Sequence, residues 1–252
     1  SFIQGKEALV AKNSDLFEIK LVPVVKPEQN SSKNFSIIEL NGNNIHGNST
    51  SEISGYLKTE YFYNLEKKNS DIKTVEYYNS IFEKGNNSFL IENLVETNKF
   101  NYDKNLIVKY DFDISNHVKT LDKEIYINLN LNKRLLTLKT KKNRKTPVEF
   151  DYKNFFQYKT ILKIPEGYFV EYLPKNVQVS NEYISSAIEY KQENGDVMYE
   201  HTITLNSLNF DLDAQKEVNE LINQIEQNYK EVVVLQKQQI NLTMKLICYL
   251  FF

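Results

Sequence analysis

Cysteine is almost absent from this sequence, and its scarcity excludes two classes of site. Cys248 is the only cysteine, so this chain holds no internal disulfide and no cysteine-based zinc site. A cysteine-dependent catalytic site also needs a histidine base beside the nucleophile. None of His46, His117 and His201 lies in a recognisable catalytic motif. The sequence therefore predicts a non-catalytic chain in which Cys248 is a tail thiol.

The sequence also lacks a charge excess and a long apolar run. The net charge is −2 and the pI is about 6.0, which argues against a general binder of nucleic acid or anionic membranes. The apolar tail, residues 240–252, is interrupted by Asn241, Thr243 and Lys245. It is shorter than the roughly twenty apolar residues of a membrane-spanning helix, so no membrane span is expected. The tail can add an edge strand, pack on a neighbour or be foreign to the fold, and these alternatives stay open.

Tryptophan is missing, but 17 tyrosines and 15 phenylalanines are present. Aromatic side chains pack well on pleated sheets, so this composition favours strands. The clearest strand is the stretch 156–164, in which a largely apolar face recurs at every second position. The residues of that face are Phe156, Tyr158, Thr160, Leu162 and Ile164. We expect this stretch to be a central strand with its even face in the core.

Turn residues mark the strands on either side of this stretch. Proline and glycine in the segment 164–167 (Ile-Pro-Glu-Gly) predict a type I turn, after which a second alternating run begins at Tyr168. Asn41 to Asn44 (Asn-Gly-Asn-Asn) indicates a hairpin. Asn194-Gly195 predicts a type I′ hairpin whose two-residue loop sets Tyr190 opposite Tyr199 and Ile188 opposite His201.

Two segments have helical rather than strand spacing. Apolar residues three or four apart in 72–82 follow Asn69-Ser70, and Gly85 is placed to end that helix. A second apolar stripe follows a cap at Asp211 or Asp213, and its members are Val218, Leu221, Ile222, Ile225 and Tyr229. Residues 55–65 are aromatic and predict a strand. The fold class predicted is mainly β, an antiparallel β-sandwich with two isolated amphipathic helices, in two units spanning 1–99 and 100–252.

The central stretch is also part of a longer motif. From Arg144 the chain runs R-x-x-P-V-x-F-x-Y, then an alternating strand, then I-P-E-G-Y-x-V-E-x-L-P. This motif resembles the C-terminal domain of bacterial secreted transglutaminase-like proteins, in which a papain-like cysteine core lies between two β-domains. The residues that carry the resemblance are Arg144, Pro147, Val148, Phe150, Tyr152, Ile164, Pro165, Gly167, Tyr168, Val170, Leu173 and Pro174. A weaker likeness extends from residues 5–10 to residues 232–237.

The resemblance implies a role, a partner and a compartment. It implies a non-catalytic accessory domain that supports or presents an upstream transglutaminase-like core, in the periplasm or at the cell surface, with a surface protein or glycan as a further partner. The chain opens at Ser1 without a methionine or signal peptide, which suits a fragment or a processed protein. The alternative is an independent carbohydrate- or protein-binding β-sandwich module. A polar cleft rimmed by tyrosines would favour the alternative, and tyrosines buried between sheets would favour the scaffold.

The titratable residues give weak evidence for a site. His201 lies on the apolar face of its strand and is expected to be a hydrogen-bonded core residue, whereas His46 and His117 are expected to be exposed. Asp103, Asp111 and Asp113 include a D-x-D but lack the glycine and glutamate of an EF-hand loop. We therefore predict no catalytic, cofactor-binding or metal-binding residues.

Two further features have both a structural and a functional interpretation. The basic loop 139–145 can be solvated charge or can hold an anion, a glycan or a protein, and Arg144 is expected in a buried or semi-buried ion pair that anchors Pro147. The aromatic residues of the central stretch and of the strand that follows it can pack in the core or form a carbohydrate platform, and strand spacing favours the core. They include Phe155, Phe156, Tyr158, Tyr168 and Tyr172.

Overall fold

The computed structural model describes residues 3–66 and 71–238, which form sixteen β-strands and three α-helices. The strands are β1 (Glu7–Ala11), β2 (Phe17–Leu21), β3 (Ser31–Asn41), β4 (Asn44–Ile53), β5 (Leu90–Thr97), β6 (Leu106–Ile114), β7 (Val118–Leu121), β8 (Glu124–Ile127), β9 (Val148–Glu149), β10 (Asn154–Leu162), β11 (Tyr168–Tyr172), β12 (Val177–Ser180), β13 (Ile184–Glu193), β14 (Asp196–Leu205), β15 (Asn209–Phe210) and β16 (Val233–Lys237). The α-helices are α1 (Gly55–Glu66), α2 (Asp71–Ile81) and α3 (Leu212–Glu226). The prediction of a mainly β fold is confirmed, but the described residues contain three α-helices where two were predicted.

Eight strands form the largest sheet, in the order β12-β13-β14-β10-β3-β4-β6-β5. Strand β10 lies inside this sheet, as predicted, between β14 and β3. It is antiparallel to β14 and parallel to β3, so the prediction of purely antiparallel strands is wrong at this pair. The parallel pairing is possible because more than a hundred residues of chain separate β3 from β10, far more than the dozen or so that a crossover needs. A second sheet has the order β11-β16-β8-β7.

One cluster of buried side chains joins the two larger sheets and α3. It includes Ile188 and Val197 of the large sheet, Ile127 and Val233 of the four-stranded sheet, and Val218 of α3. The large sheet takes β3, β4 and β5 from the predicted unit 1–99 and its other five strands from the predicted unit 100–252. The two predicted units therefore share one hydrogen-bonded sheet.

The Asn194-Gly195 hairpin has the geometry that its sequence predicts. Both residues have positive φ, 53° and 83°, as a type I′ turn requires. The register pairs Tyr190 with Tyr199 and Ile188 with His201. The hairpin at Asn41 to Asn44 is confirmed too, with Asn41 paired to Asn44.

Gly195→Val should lower the free energy of unfolding by about 1–3 kcal/mol, because valine is strained at positive φ. Apart from Gly195 itself and its two chain neighbours, no heavy atom of the described residues lies within 4 Å of a β-carbon placed on Gly195, so the cost comes from the backbone rather than from a clash. Lys191→Val is the matched control, since Lys191 is an exposed residue within β13 where valine is well tolerated. Urea unfolding measures both variants, and equal stabilities would contradict the type I′ assignment.

The turn after β10 differs from the prediction by one residue. The amide of Tyr168 donates to the carbonyl of Pro165 at 3.1 Å, so the hydrogen-bonded turn runs from 165 to 168 rather than from 164 to 167. Gly167 is then the third residue and has a φ of 80°, which is the type II pattern. The type I prediction is wrong because it placed this glycine at the fourth position. Strand β11 then pairs with β16 and not with β10.

Residues 55–65 form α1, so the prediction of a strand there is wrong. Leu57, Tyr61 and Leu65 lie four residues apart, and this spacing places them on one side of a helix. Leu57 and Leu65 are each 4% exposed. Burial of this stripe outweighs the strand preference of the aromatic residues.

The two predicted helices are present with small differences. Helix α2 ends at Ile81, and Gly85 lies beyond its last turn, where its amide donates to the carbonyl of Leu131. The proposed start at Asn69-Ser70 lies outside the described residues. Helix α3 is capped by Asp211, whose carboxylate accepts from the amides of Asp213 and Ala214. None of the described helices combines the length and apolarity needed to cross a membrane.

Candidate functional site

His201 is a core residue, as predicted. It is 0% exposed, and its Nε2 lies 3.0 Å from Ser186 Oγ on the neighbouring strand. Its Nδ1 has no hydrogen-bond partner in the described part of the chain. Burial lowers the pKa of His201 to about 3, so the imidazole is neutral at neutral pH. It packs against the rings of Tyr158 and Tyr229 and contributes to the core rather than to a surface site.

The other two histidines lie on different elements. His46 of β4 is exposed, as predicted, and its Nδ1 lies 2.9 Å from Asp113 Oδ1. This hydrogen bond raises the pKa of His46. His117 is half-buried, with its Nε2 3.0 Å from the carbonyl oxygen of Asn128, so the prediction that it is exposed is wrong. Its loop packs against the segment after β8, a contact that no sequence pattern indicated.

The three aspartates that suggested calcium do not form one group. Asp111 and Asp113 share a face of β6, but Asp103 lies in the preceding loop. Asp111 accepts a hydrogen bond from Asn93 Nδ2 at 2.8 Å, and Asp113 is engaged by His46. Across residues 3–66 and 71–238, no three or more His, Cys, Asp or Glu side chains are grouped to hold a metal ion. Cys248 lies outside the described residues.

The basic segment 139–145 is a loop, as predicted, and it is attached to α3. Lys139 pairs with Glu226 at 2.9 Å. The amide of Thr140 donates to Asn219 Oδ1, and Asn219 Nδ2 donates back to the carbonyl of Thr140. The loop borders an open cleft of about 450 Å³.

Arg144 anchors the chain differently from the prediction. Its side chain is exposed, its Nε donates to the carbonyl of Thr146 at 3.0 Å, and its Nη2 donates to the carbonyl of Pro147 at 3.1 Å. The expected ion pair is wrong: Arg144 has no carboxylate partner among the described residues. The backbone carbonyls ahead of β9 satisfy the guanidinium instead.

The predicted aromatic stripe is divided between core and surface. Phe156 is 5% exposed and Phe155, Tyr158 and Tyr168 are half-buried, so most of the stripe packs in the protein. Tyr172, at the end of β11, is 44% exposed. These residues do not form a continuous exposed platform.

An exposed group of aromatic rings lies elsewhere, where α1 meets the loop 98–104. We call Phe62, Tyr63, Phe100 and Tyr102 the aromatic cluster. The Phe62 ring lies 5.5 Å from the Phe100 ring and 5.9 Å from the Tyr102 ring, measured between centroids. Phe100 is 75% exposed, Tyr102 is 84% exposed and Tyr63 is 61% exposed. The cluster borders a shallow cleft of about 250 Å³.

Lys58 holds the loop that carries two of these rings. Its ammonium is buried under the loop and donates to the carbonyls of Asn98, Asn101 and Lys104, so all three of its N–H groups have backbone partners. Burial lowers the pKa of Lys58, and the charge of Asp103 acts in the opposite direction. Three bonds from one side chain fix the loop, so Phe100 and Tyr102 are presented in a defined geometry.

The sequence did not predict this cluster. Residues 55–65 were interpreted as a strand, which would place Phe62 and Tyr63 on opposite faces of a sheet. Phe100 and Tyr102 belong to no periodic pattern. The available signal was two aromatic residues in a polar loop rich in asparagine, since loops lie at the surface.

Comparison with known proteins identifies part of the chain. Neither the curated proteins nor the solved structures contain a match. Nothing in the comparisons connects the chain with transglutaminase-like proteins. The matched segment, residues 123–235, runs from the start of β8 into β16 and includes the central stretch, whereas the aromatic cluster lies outside it. Residues 123–235 match the family model of DUF3858, an uncharacterised domain family.

Proposed function

We propose that this chain is a non-catalytic accessory module that binds carbohydrate through the aromatic cluster. The observation that supports this proposal is the high exposure of Phe100 and Tyr102 beside Phe62 on a loop fixed by Lys58. Contiguous exposed apolar surface on a protein often marks a site that binds a partner or a ligand.

Aromatic rings suit sugars because both partners are amphipathic. The apolar C–H face of a pyranose covers the ring, while the Tyr102 hydroxyl stays available for hydrogen bonding. Tyrosine and phenylalanine have few rotatable bonds, so they lose little conformational entropy on binding. Because Lys58 has already ordered the loop, binding does not have to order it.

Tyr102→Ala and Phe100→Ala should each weaken polysaccharide binding at least about tenfold, with little change in melting temperature because both side chains are largely exposed. A glycan array first identifies the sugar, and titration then gives the affinities. Phe169→Ala is the matched control, since Phe169 is a 39% exposed phenylalanine on β11, outside the cluster.

Retained binding in both cluster variants would contradict this proposal. Loss of binding together with a large fall in melting temperature would mean that the rings stabilise the fold, and would contradict it as well.

A second candidate, support of an upstream cysteine core, is favoured by the β1–β2 hairpin. Leu9, Ile19 and Leu21 are 66–70% exposed on this two-stranded ribbon. An exposed apolar ribbon is suited to packing against another protein domain. Under this proposal the parent is a transglutaminase-like protein of the periplasm or cell surface. A wild-type chain that binds no glycan would favour this second candidate over the first.

A further inference from the structure

A third cleft lies over the middle of the large sheet, apart from the aromatic cluster. We call it the central cleft. It has a volume of about 250 Å³. Its floor is formed by the parallel pair β3 and β10, whose register places Ser32 beside Phe156 and Asn34 beside Tyr158. The side chains of residues 80–84 and 132–134 and of Tyr61 complete its wall.

Three hydroxyl groups in this cleft have no partner in the part of the chain that the structure describes. Within residues 3–66 and 71–238, the hydroxyls of Ser32, Tyr61 and Tyr158 make no hydrogen bond. None of the three oxygens is among the fully buried unpaired atoms, so they face the open cleft, where they can bond to water or to a ligand. Burial raises the pKa of both Tyr61 and Tyr158, so both stay protonated and able to donate.

Three cations line the same cleft, Lys84, Lys133 and Arg134, and two of them lie beside aromatic rings. Lys84 is 6% exposed, and its ammonium donates to the Tyr110 hydroxyl at 2.7 Å and lies 5.2–5.7 Å from three aromatic ring centroids. The Arg134 guanidinium lies 4.5 Å from the centroid of the Phe156 ring. Its positive charge lowers the pKa of Tyr61 and Tyr158, whereas burial raises the pKa of both. Neither Lys84 nor Arg134 has a carboxylate partner among the described residues.

The acidic groups nearby do not cancel this charge. Glu83 lines the cleft with an exposed side chain, as Arg134 does, and among the described residues it forms no ion pair with Arg134 or Lys84. Glu60 does not line the cleft; its carboxylate is hydrogen-bonded to Tyr152, and its charge also acts on Tyr61. The lining therefore carries three cations against one carboxylate, together with a set of hydroxyl donors.

We propose that the central cleft binds the oxyanion group, a carboxylate or a phosphate, of a small hydroxylated compound. The guanidinium of Arg134 can hold such a group through two parallel hydrogen bonds. Ser32, Tyr61 and Tyr158 supply hydrogen bonds to the oxyanion and to the hydroxyl groups of the ligand. The volume exceeds that of a bare anion, which leaves room for a compound about the size of one sugar ring.

Three probes that share one ring test the proposal: glucuronate, glucose 6-phosphate and glucose. Isothermal titration calorimetry of the full chain should show that at least one of the two acidic probes binds at least about ten times more tightly than glucose does. The tighter acidic probe identifies the oxyanion as carboxylate or phosphate. Equal affinity for all three probes, or no binding, would overturn the proposal.

Variants separate the role of the cleft from folding. Arg134→Gln should weaken the binding of the acidic probe at least about tenfold. Tyr158→Phe should weaken that binding severalfold without lowering the stability of the fold, because the Tyr158 hydroxyl has no partner among the described residues to lose. Arg144→Gln is the matched control for charge, since Arg144 is exposed and lies outside the cleft. Undiminished binding by Arg134→Gln would overturn the proposal. Tyr102→Ala should leave this binding unchanged, so failure here is distinguishable from failure of the proposed carbohydrate site.

Discussion

Leu162→Ala is expected to lower the free energy of unfolding by about 2–5 kcal/mol. Leu162 is 0% exposed at the end of β10, where it pairs with Val197 of β14 and Ile38 of β3, which are also 0% exposed. Strands fixed on both sides by backbone hydrogen bonds cannot move together to fill the space that the shortened side chain leaves. The cost therefore includes a cavity as well as lost burial, and urea unfolding measures it.

Lys163→Ala is the matched control for this experiment. Lys163 follows Leu162 directly, but its side chain is 47% exposed and pairs with Asp196 at 2.6 Å. Exposed ion pairs contribute little, so the change should stay within about 0.5 kcal/mol. Similar losses for both variants would contradict the assignment of the even face of β10 to the core.

The features that the sequence predicted well are those set by local chemistry. The Asn194-Gly195 turn is short and requires positive φ at both residues. Because a two-residue loop fixes the register of the strands that it joins, the pairing of Tyr190 with Tyr199 could be predicted from the turn alone. The alternation of β10 identified its buried face in the same way. The cap at Asp211 was predictable because its partners are two and three residues away.

The features that the sequence missed depend on distant contacts. Residues 55–65 contain many aromatic residues, which favours strands, but the stripe from Leu57 to Leu65 is buried as a helix. Nothing local indicates that β10 pairs in parallel with β3, because the partner lies more than a hundred residues earlier. The same parallel register creates the central cleft, so the cleft could not be predicted either.

The aromatic cluster illustrates the same limit at a surface. Phe62 and Phe100 belong to a helix and a loop, and the carbonyl contacts of Lys58 help to bring them together. The aromatic residues that the sequence did highlight, such as Phe156, lie in the interior instead. Periodicity identifies which side chains are buried, whereas an exposed site of this kind is assembled by tertiary contacts that leave no periodic signal.

Stability should fall in mild acid because of His201. Its pKa is about 3 in the folded protein against an ordinary value of 6.5, so between these values the unfolded chain binds one more proton than the folded chain. The contribution of His201 is fully present above about pH 6.5 and is lost as the pH falls toward 3, by about 1.4 kcal/mol per pH unit. Stability is lost because the His201 side chain is 0% exposed and, among the described residues, has only Ser186 as a hydrogen-bond partner for its imidazole ring.

Urea unfolding between pH 7 and pH 5 measures this slope before most carboxylates titrate. His201→Leu should remove about one proton from the pH dependence, whatever its effect at pH 7. His46→Gln is the control with the opposite sign, since Asp113 raises the pKa of His46 and stabilises its protonated form in the folded protein. That contribution is present at low pH and is lost as the pH rises through the raised pKa, so its removal should keep the acid slope or make it steeper. Equal slopes for wild type and His201→Leu would show that His201 takes up its proton without unfolding, and that the core around it opens to water.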